Sequence, residues 1–206
     1  MNTIIGCDFS LKKPAACVLS NNVYSFYSWP NNIDKKVIEK IKNSGVTIIE
    51  REEEKPKKLS ATELVHYDII HSNNLADLII KELSSFINKN TIFAFEGSSF
   101  ASQGNVALQL TSWRYILIYK LSLIIPLKNI YTYSPQTLKA TAECSKKGMG
   151  KKEMIEAFIQ KGPNTKFREA LINKELFNGG GKNYIDMTDD LVDSFWSIET
   201  YIKKEL

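Results

Sequence analysis

The sequence predicts a mixed α/β fold: a five-stranded sheet with a three-strand antiparallel meander, flanked by helices. Three observations predict it. Strand-like runs at 3–10 (TIIGCDFS), 15–20 (AACVLS) and 23–29 (VYSFYSW) follow one another with only short connections. Two more, at 91–95 (TIFAF) and 129–134 (NIYTYS), are each preceded by a helical stretch, the pattern of parallel strands joined by crossovers. The 206 residues are 43% hydrophobic and 24% charged, which suits one globular domain with one substantial core.

The elements follow in order. Asn21-Asn22 suits a tight turn, because Asn tolerates positive φ. Pro30 ends the meander. Ile33, Val37, Ile38 and Ile41 recur at a helical period over 33–43. VTIIE (46–50) allows an extra short strand, and REEEKPKK (51–58) reads as a charged exposed loop without chemistry. A long helical stretch covers about 60–88, with a break at Ser72-Asn73-Asn74. It delivers the chain to the strand that runs into Glu96. A small-residue loop, GSSFASQGN, then leads into a helix from about Val106 to Leu123, which Pro126 closes. Beyond Pro135 the chain is helical, interrupted by KKGMGKK. Asn178-Gly179-Gly180-Gly181 reads as a hinge, and the last helix spans 188–204 with Thr188 as its N-cap.

Several classes are disfavoured. No apolar run approaches the ~18–20 residues of a membrane span, and the first ten residues carry no signal-peptide pattern, so a cytoplasmic location is expected. Cys7, Cys17 and Cys144 are scattered without metal-type spacing, and their odd number argues for a reducing compartment. The net charge of +4 does not by itself imply a nucleic-acid partner. Its distribution says more: residues 139–174 hold nine basic and four acidic residues.

The carboxylates carry the chemistry. A carboxylate at the tip of a buried strand is costly unless neutralised, and both Asp8 and Glu96 sit at such tips. Asp190 and Asp193, three apart, share a face of the last helix. Leu191, Phe195, Ile198 and Ile202 form the core stripe of that helix, with Asp189, Asp190, Asp193 and Ser197 opposite. Each alone has a bland reading: a hydrogen-bonded strand end, or a solvated helix face. If the first and fourth strands are neighbours, about 4.8 Å apart, Asp8 and Glu96 face one space, and the glycine hinge lets the last helix place Asp190 and Asp193 over it. Four clustered carboxylates repel and call for hard divalent cations.

Four segments in order resemble the RuvC-type Holliday-junction resolvases of the RNase H-like nuclease superfamily. IIGCDFS resembles the first strand with its catalytic Asp, and FAFEGSSF the strand that ends in the catalytic Glu. YTYSPQTLKATAECSKKGMGKKEMIEAF resembles a strand, a Pro-x-x-hydrophobic-Lys helix start, a basic glycine loop and a Lys-initiated helix. DDLVDSFW resembles the closing Asp-x-x-Asp helix. The resemblance implies an RNase H-like domain over 1–206, with an apparent insertion around 34–75, that nicks four-way and other branched DNA. It implies that Asp8, Glu96, Asp190 and Asp193 hold two Mg²⁺ ions, with Mn²⁺ as a substitute, which activate the attacking water and stabilise the departing 3′ oxygen.

Under the same resemblance, Lys139 and either Lys151 or Lys152 contact phosphates, and Lys146 and Lys147 belong to the basic DNA-binding loop. Phe100 is the nearest match to a junction-wedging aromatic. The helix 106–123 matches a dimer-forming helix, although Trp113, Tyr115 and Tyr119 on it fit a core equally well. Asp186 and Asp189 offer alternative ligands to Asp190. His66 and His71, five apart, do not share a helix face and are not read as ligands. The rival readings are an RNase H-like nuclease for RNA–DNA hybrids or single strands, and a non-catalytic junction-binding protein. An exonuclease of the DnaQ type wants Asp-x-Glu on the first strand, where this chain has Asp8-Phe9-Ser10. An actin-like ATPase wants a glycine-rich loop after that Asp, where this chain has DFSLKKP.

Overall fold

The structure is a computed structural model that describes residues 3–51, 58–97, 105–146, 148–178 and 183–206, except the side chains of Asn105 and Val106. Phe100, Lys147 and the glycines of the expected hinge lie outside the described residues.

Strands β1 (Ile4–Asp8), β2 (Ala15–Ser20) and β3 (Val23–Ser28) form the expected antiparallel meander. Asn21 and Asn22 turn between β2 and β3 with φ of 50° and 62°. Helix α1 (Lys35–Asn43) follows, then β4 (Thr47–Ile48), α2 (Ala61–Glu82), β5 (Ile92–Glu96), α3 (Asn105–Ser122) and β6 (Ile130–Tyr133). Helices α4 (Pro135–Thr141), α5 (Lys151–Lys161), α6 (Lys166–Ile172) and α7 (Thr188–Glu205) complete the chain. The sheet order is β4-β3-β2-β1-β5-β6, with β5 parallel to β1 and β6 parallel to β5.

Four expectations need correction. The sheet has six strands rather than five, because Thr47 and Ile48 of the VTIIE run add a short parallel strand beside β3. Helix α2 runs unbroken through Ser72-Asn73-Asn74. Ser72 is fully buried there, and its hydroxyl donates back to the Asp68 and Ile69 carbonyls, which satisfies it without ending the helix. Thr188 is the first residue of α7 rather than its cap; Met187 takes that place in a left-handed conformation, φ 78°. Arg51, at the start of the loop read as exposed, is buried and donates to the carbonyls of Trp29 and Leu11, at 2.7 and 2.8 Å. It thereby braces the turn between β1 and β2.

Strand alternation divides the core into two layers. Ile5, Cys7, Phe93 and Phe95 face α2 and α3 and pack against Leu75, Ile79, Trp113 and Leu117. Ile4, Ile92 and Ala94 face the other side, with Phe158, Leu191, Phe195 and Ile198. Asp8 continues the second face of β1, and Glu96 continues it on β5. The registered pair Cys7↔Phe95 puts these two carboxylates side by side at the ends of adjacent strands.

Helix α7 crosses this face, packed on β1, β2, β5, α4 and α5. It is therefore buried nearly all round: Asp190, Ser194, Ser197 and Thr200 are as covered as Leu191 and Ile198. Gly6 makes the approach possible. A Cβ there would collide with the Ser194 carbonyl oxygen and lie 2.9 Å from Ile198 Cγ1. Ser194 and Ser197 are small, and each hydroxyl bonds a carbonyl of its own helix, Leu191 at 2.7 Å and Asp193 at 3.1 Å. Close packing of α7 on β1 is what presents the Asp190–Asp193 turn to the strand ends.

Candidate functional site

Asp8, Glu96 and Asp193 each offer a carboxylate oxygen within 4.8 Å of the others. They are the described residues that could jointly hold a metal ion. Asp8 comes from β1, Glu96 from β5 and Asp193 from α7. Asp190 lies one helical turn before Asp193 and shares a hydrogen bond with Asp8. Asp190 Oδ2 is buried, with the Lys13 ammonium 3.3 Å away.

The electrostatics follow from burial and crowding. Burial first, then the Glu96 and Asp193 charges, push Asp8 well above the ordinary carboxylate range. Burial and Asp193 push Glu96 up to about 8. Burial, Asp189 and Asp190 push Asp193 up to about 7. Burial and Asp8 likewise raise Asp190. All four shifts run in the same direction, because burial and crowding of like charges in one pocket both disfavour the ionised form.

Asp189 behaves oppositely. Burial works to raise it, but the ammonium groups of Lys13 and Lys151 outweigh burial and hold it below its ordinary value. Lys151 pairs with Asp189, and Lys13 bonds Asp186 and, at 3.1 Å, Asp189. Of the two adjacent aspartates, Asp190 adjoins the crowded cluster and Asp189 anchors the cations at its rim.

The basic candidates divide in the same way. Lys151, at the start of α5, reaches the acidic site, whereas Lys152 pairs along its own helix with Glu156 at 3.8 Å. Glu153 accepts the Gly150 N–H at 2.6 Å and so fixes that helix start. Lys139, on α4, donates to the Met149 carbonyl at 3.3 Å and acts on Asp193. Lys146 is exposed on the glycine loop. His66 is exposed, and the His71 ring lies tilted against Tyr67, with centroids 3.9 Å apart.

Two site residues escaped the sequence reading. Lys13 lies in the β1–β2 turn, five residues after Asp8. A lysine that close to a strand-end aspartate was the available signal. Arg114 of α3 is buried beneath the strand ends and donates to the Glu96 carbonyl at 3.1 Å. The mixed character of α3 gave no sign of it.

The residues present fit divalent cations. The donors are hard carboxylate oxygens, three of them converge, and Asp190 adds a buried oxygen, Oδ2. No protein-family model matches the sequence, and no curated protein matches it. Among solved structures, Thermus thermophilus RuvC matches with a TM-score of 0.51 and 11% identity, over 98% of this chain and 96% of that one. The fold is that of the RuvC-type resolvases. The same T. thermophilus protein in complex with its Holliday junction substrate gives the same figures. The yeast mitochondrial Holliday junction resolvase Ydc2 matches at TM-score 0.47 and 13% identity, over 97% of this chain and 77% of that one. In this RuvC-like fold the carboxylates stand at the strand ends of the central β1–β5 pair. Among the described residues no helix is long and apolar enough to cross a membrane.

Proposed function

We propose that the protein is a metal-dependent endonuclease that nicks four-way and other branched DNA junctions. The observation that carries this reading is the convergence of Asp8, Glu96 and Asp193 within 4.8 Å, with Asp190 beside them, on a RuvC-like fold. Asp8, Glu96, Asp190 and Asp193 hold the ions, with Mg²⁺ as the physiological metal and Mn²⁺ as a substitute. When bound, paired ions polarise the scissile phosphate and lower the pKa of a water. The side chains do the rest. The four carboxylates fix the position of the positive charge, and Arg114 holds the backbone at Glu96. Lys139, Lys151 and the exposed Lys146 and Lys152 attract and orient the polyanionic strand, and Lys147 and Phe100 extend that contact.

On this reading residues 1–206 act as one nuclease domain, and the insertion at 34–75 pads the sheet edge through α1 and β4. A homodimer through α3 suits a nearly two-fold substrate. That helix carries an exposed stripe of Leu108, Tyr115 and Tyr119, spaced so that it lies along one side.

The test is a substrate panel of four-way junctions, flaps, forks, RNA–DNA hybrids and single strands, each with Mg²⁺, Mn²⁺ or EDTA. Metal-dependent nicking of junctions above all other substrates is expected. Asp8→Asn should lower nicking by at least ~10³-fold while junction binding persists. Hybrid cleavage that exceeds junction cleavage points to the rival RNase H-like activity, and binding without cleavage under every metal condition points to a non-catalytic junction-binding protein.

A further inference from the structure

The turn between β1 and β2 is fixed residue by residue. The Leu11 carbonyl accepts from the Arg51 guanidinium at 2.8 Å, and the Lys12 carbonyl accepts from the Asn31 N–H at 2.7 Å. The Pro14 carbonyl accepts from the Trp29 N–H and from the Ser28 hydroxyl, both at 3.0 Å. The Lys13 N–H donates to the Ser10 hydroxyl at 3.0 Å, and the ring of Pro14 locks the next φ.

This rigid turn delivers one long side chain to the start of α7. The Lys13 ammonium bonds Asp186 and lies 3.1 Å from Asp189 Oδ1 and 3.3 Å from Asp190 Oδ2. Its side chain is only 18% exposed, against 71% for Lys151, which meets Asp189 from the other side chain wall of the rim. Lys12, the preceding residue, is exposed.

Three carboxylates around one ammonium form a cation site that the chain fills for itself. Asp190 is the member that matters, because it also shares a hydrogen bond with Asp8. Asp8, Glu96 and Asp193 converge within 4.8 Å, and Asp190 stands outside that set, with Oδ2 beside Lys13. An ammonium in contact with a ligand oxygen repels an incoming dication, and a largely covered pair is screened little by solvent. A plain structural tie between turn and helix is the competing account. The turn, however, is already held by Arg51, Asn31, Trp29 and Ser28.

We propose that Lys13 is a built-in counter-ion of the acidic site: a positioning residue that holds Asp190 in the metal-free protein and yields it to a divalent ion. Its ammonium balances the carboxylates before metal arrives and opposes the ion that replaces it, so Lys13 sets how tightly the site binds metal. The inference rests on the nuclease reading above, which is what puts an ion at Asp190.

The test measures Mn²⁺ affinity of the whole protein by calorimetry, without DNA. Lys13→Met should bind Mn²⁺ on the order of tenfold tighter. Lys13→Arg, which keeps charge and reach, should stay near wild type. Lys12→Met removes the same charge from the exposed neighbour and should change affinity by less than about twofold. Unchanged or weaker binding in Lys13→Met, or equal tightening in Lys12→Met, overturns the inference while metal-dependent nicking by wild type still stands. A second measurement needs no variant: lysine acetylation of wild type, mapped by mass spectrometry. Lys13 should react slowly in EDTA and several-fold faster in saturating Mg²⁺. Protection that Mg²⁺ leaves unchanged overturns the counter-ion role. Absence of Mn²⁺ binding in wild type and Lys13→Met alike counts against the nuclease reading, and the inference falls with it.

Discussion

Asp189 and Asp190 are neighbours in sequence, yet their environments drive them apart. Asp189 faces Lys13 and Lys151 and stays ionised, whereas Asp190 faces Asp8 and is raised. The choice between them as ligands, open in the sequence, comes down to which side of the first turn of α7 meets the strand ends. A consequence for pH follows. Glu96 and Asp193 are raised to about 8 and about 7, against about 4 in an unfolded chain. The fold therefore binds extra protons. The stability this gives is fully present below pH ~4 and is lost as pH rises through 7 to 8. Metal-free protein in EDTA should thus melt at progressively lower temperature from pH 5.5 to 8.5. Saturating Mg²⁺ should raise the melting temperature by roughly 5–10 °C at pH 8.5 and by little at pH 5.5. A metal-free protein that grows more stable over this range would contradict the assigned electrostatics. The sequence offered Lys13 only by its nearness to Asp8; the partners it binds lie more than 170 positions away.

Single elements were legible to the extent that their periodicity reflected one neighbour. The strands of the meander and the β5 run satisfy a two-residue alternation and were readable at once. Helix α7 allowed two readings of its polar side, a solvated face or a share in the acidic site. The helix is packed between the sheet and α4 and α5, so that side is interior. Only Gly6, on another strand, explains how closely it packs. Helix α3 resolves in the opposite sense. Trp113 is core, whereas Tyr115 and Tyr119 are 60% and 65% exposed, together with Leu108. An apolar stripe of this kind marks an interaction surface, and the proposed occupant is a second copy. Wild type should sediment as a dimer at micromolar concentration, and Tyr119→Glu should weaken dimerisation at least about tenfold by placing a charge in the seam. Unchanged sedimentation in that variant, or a monomeric wild type, would remove α3 as the interface.

For the molecule as a whole, the order of strands and helices was enough to anticipate a central sheet with carboxylates at its strand ends, because neighbouring parallel strands must end on the same edge. What sequence order could not supply was the packing between distant segments: Arg51 bracing the β1–β2 turn, Arg114 under Glu96, and the two lysines at the acidic rim. The segment 34–75 is partly explained by packing, since Ile38, Ile41 and Val46 enter the core behind the sheet. All of these contacts serve to hold negative charge from β1, β5 and α7 in one small volume. The most direct test of that arrangement is anomalous diffraction from crystals soaked in Mn²⁺. Two peaks about 3.5–4 Å apart, among Asp8, Glu96, Asp190 and Asp193, are the predicted result. Manganese bound elsewhere with none at these carboxylates would contradict it.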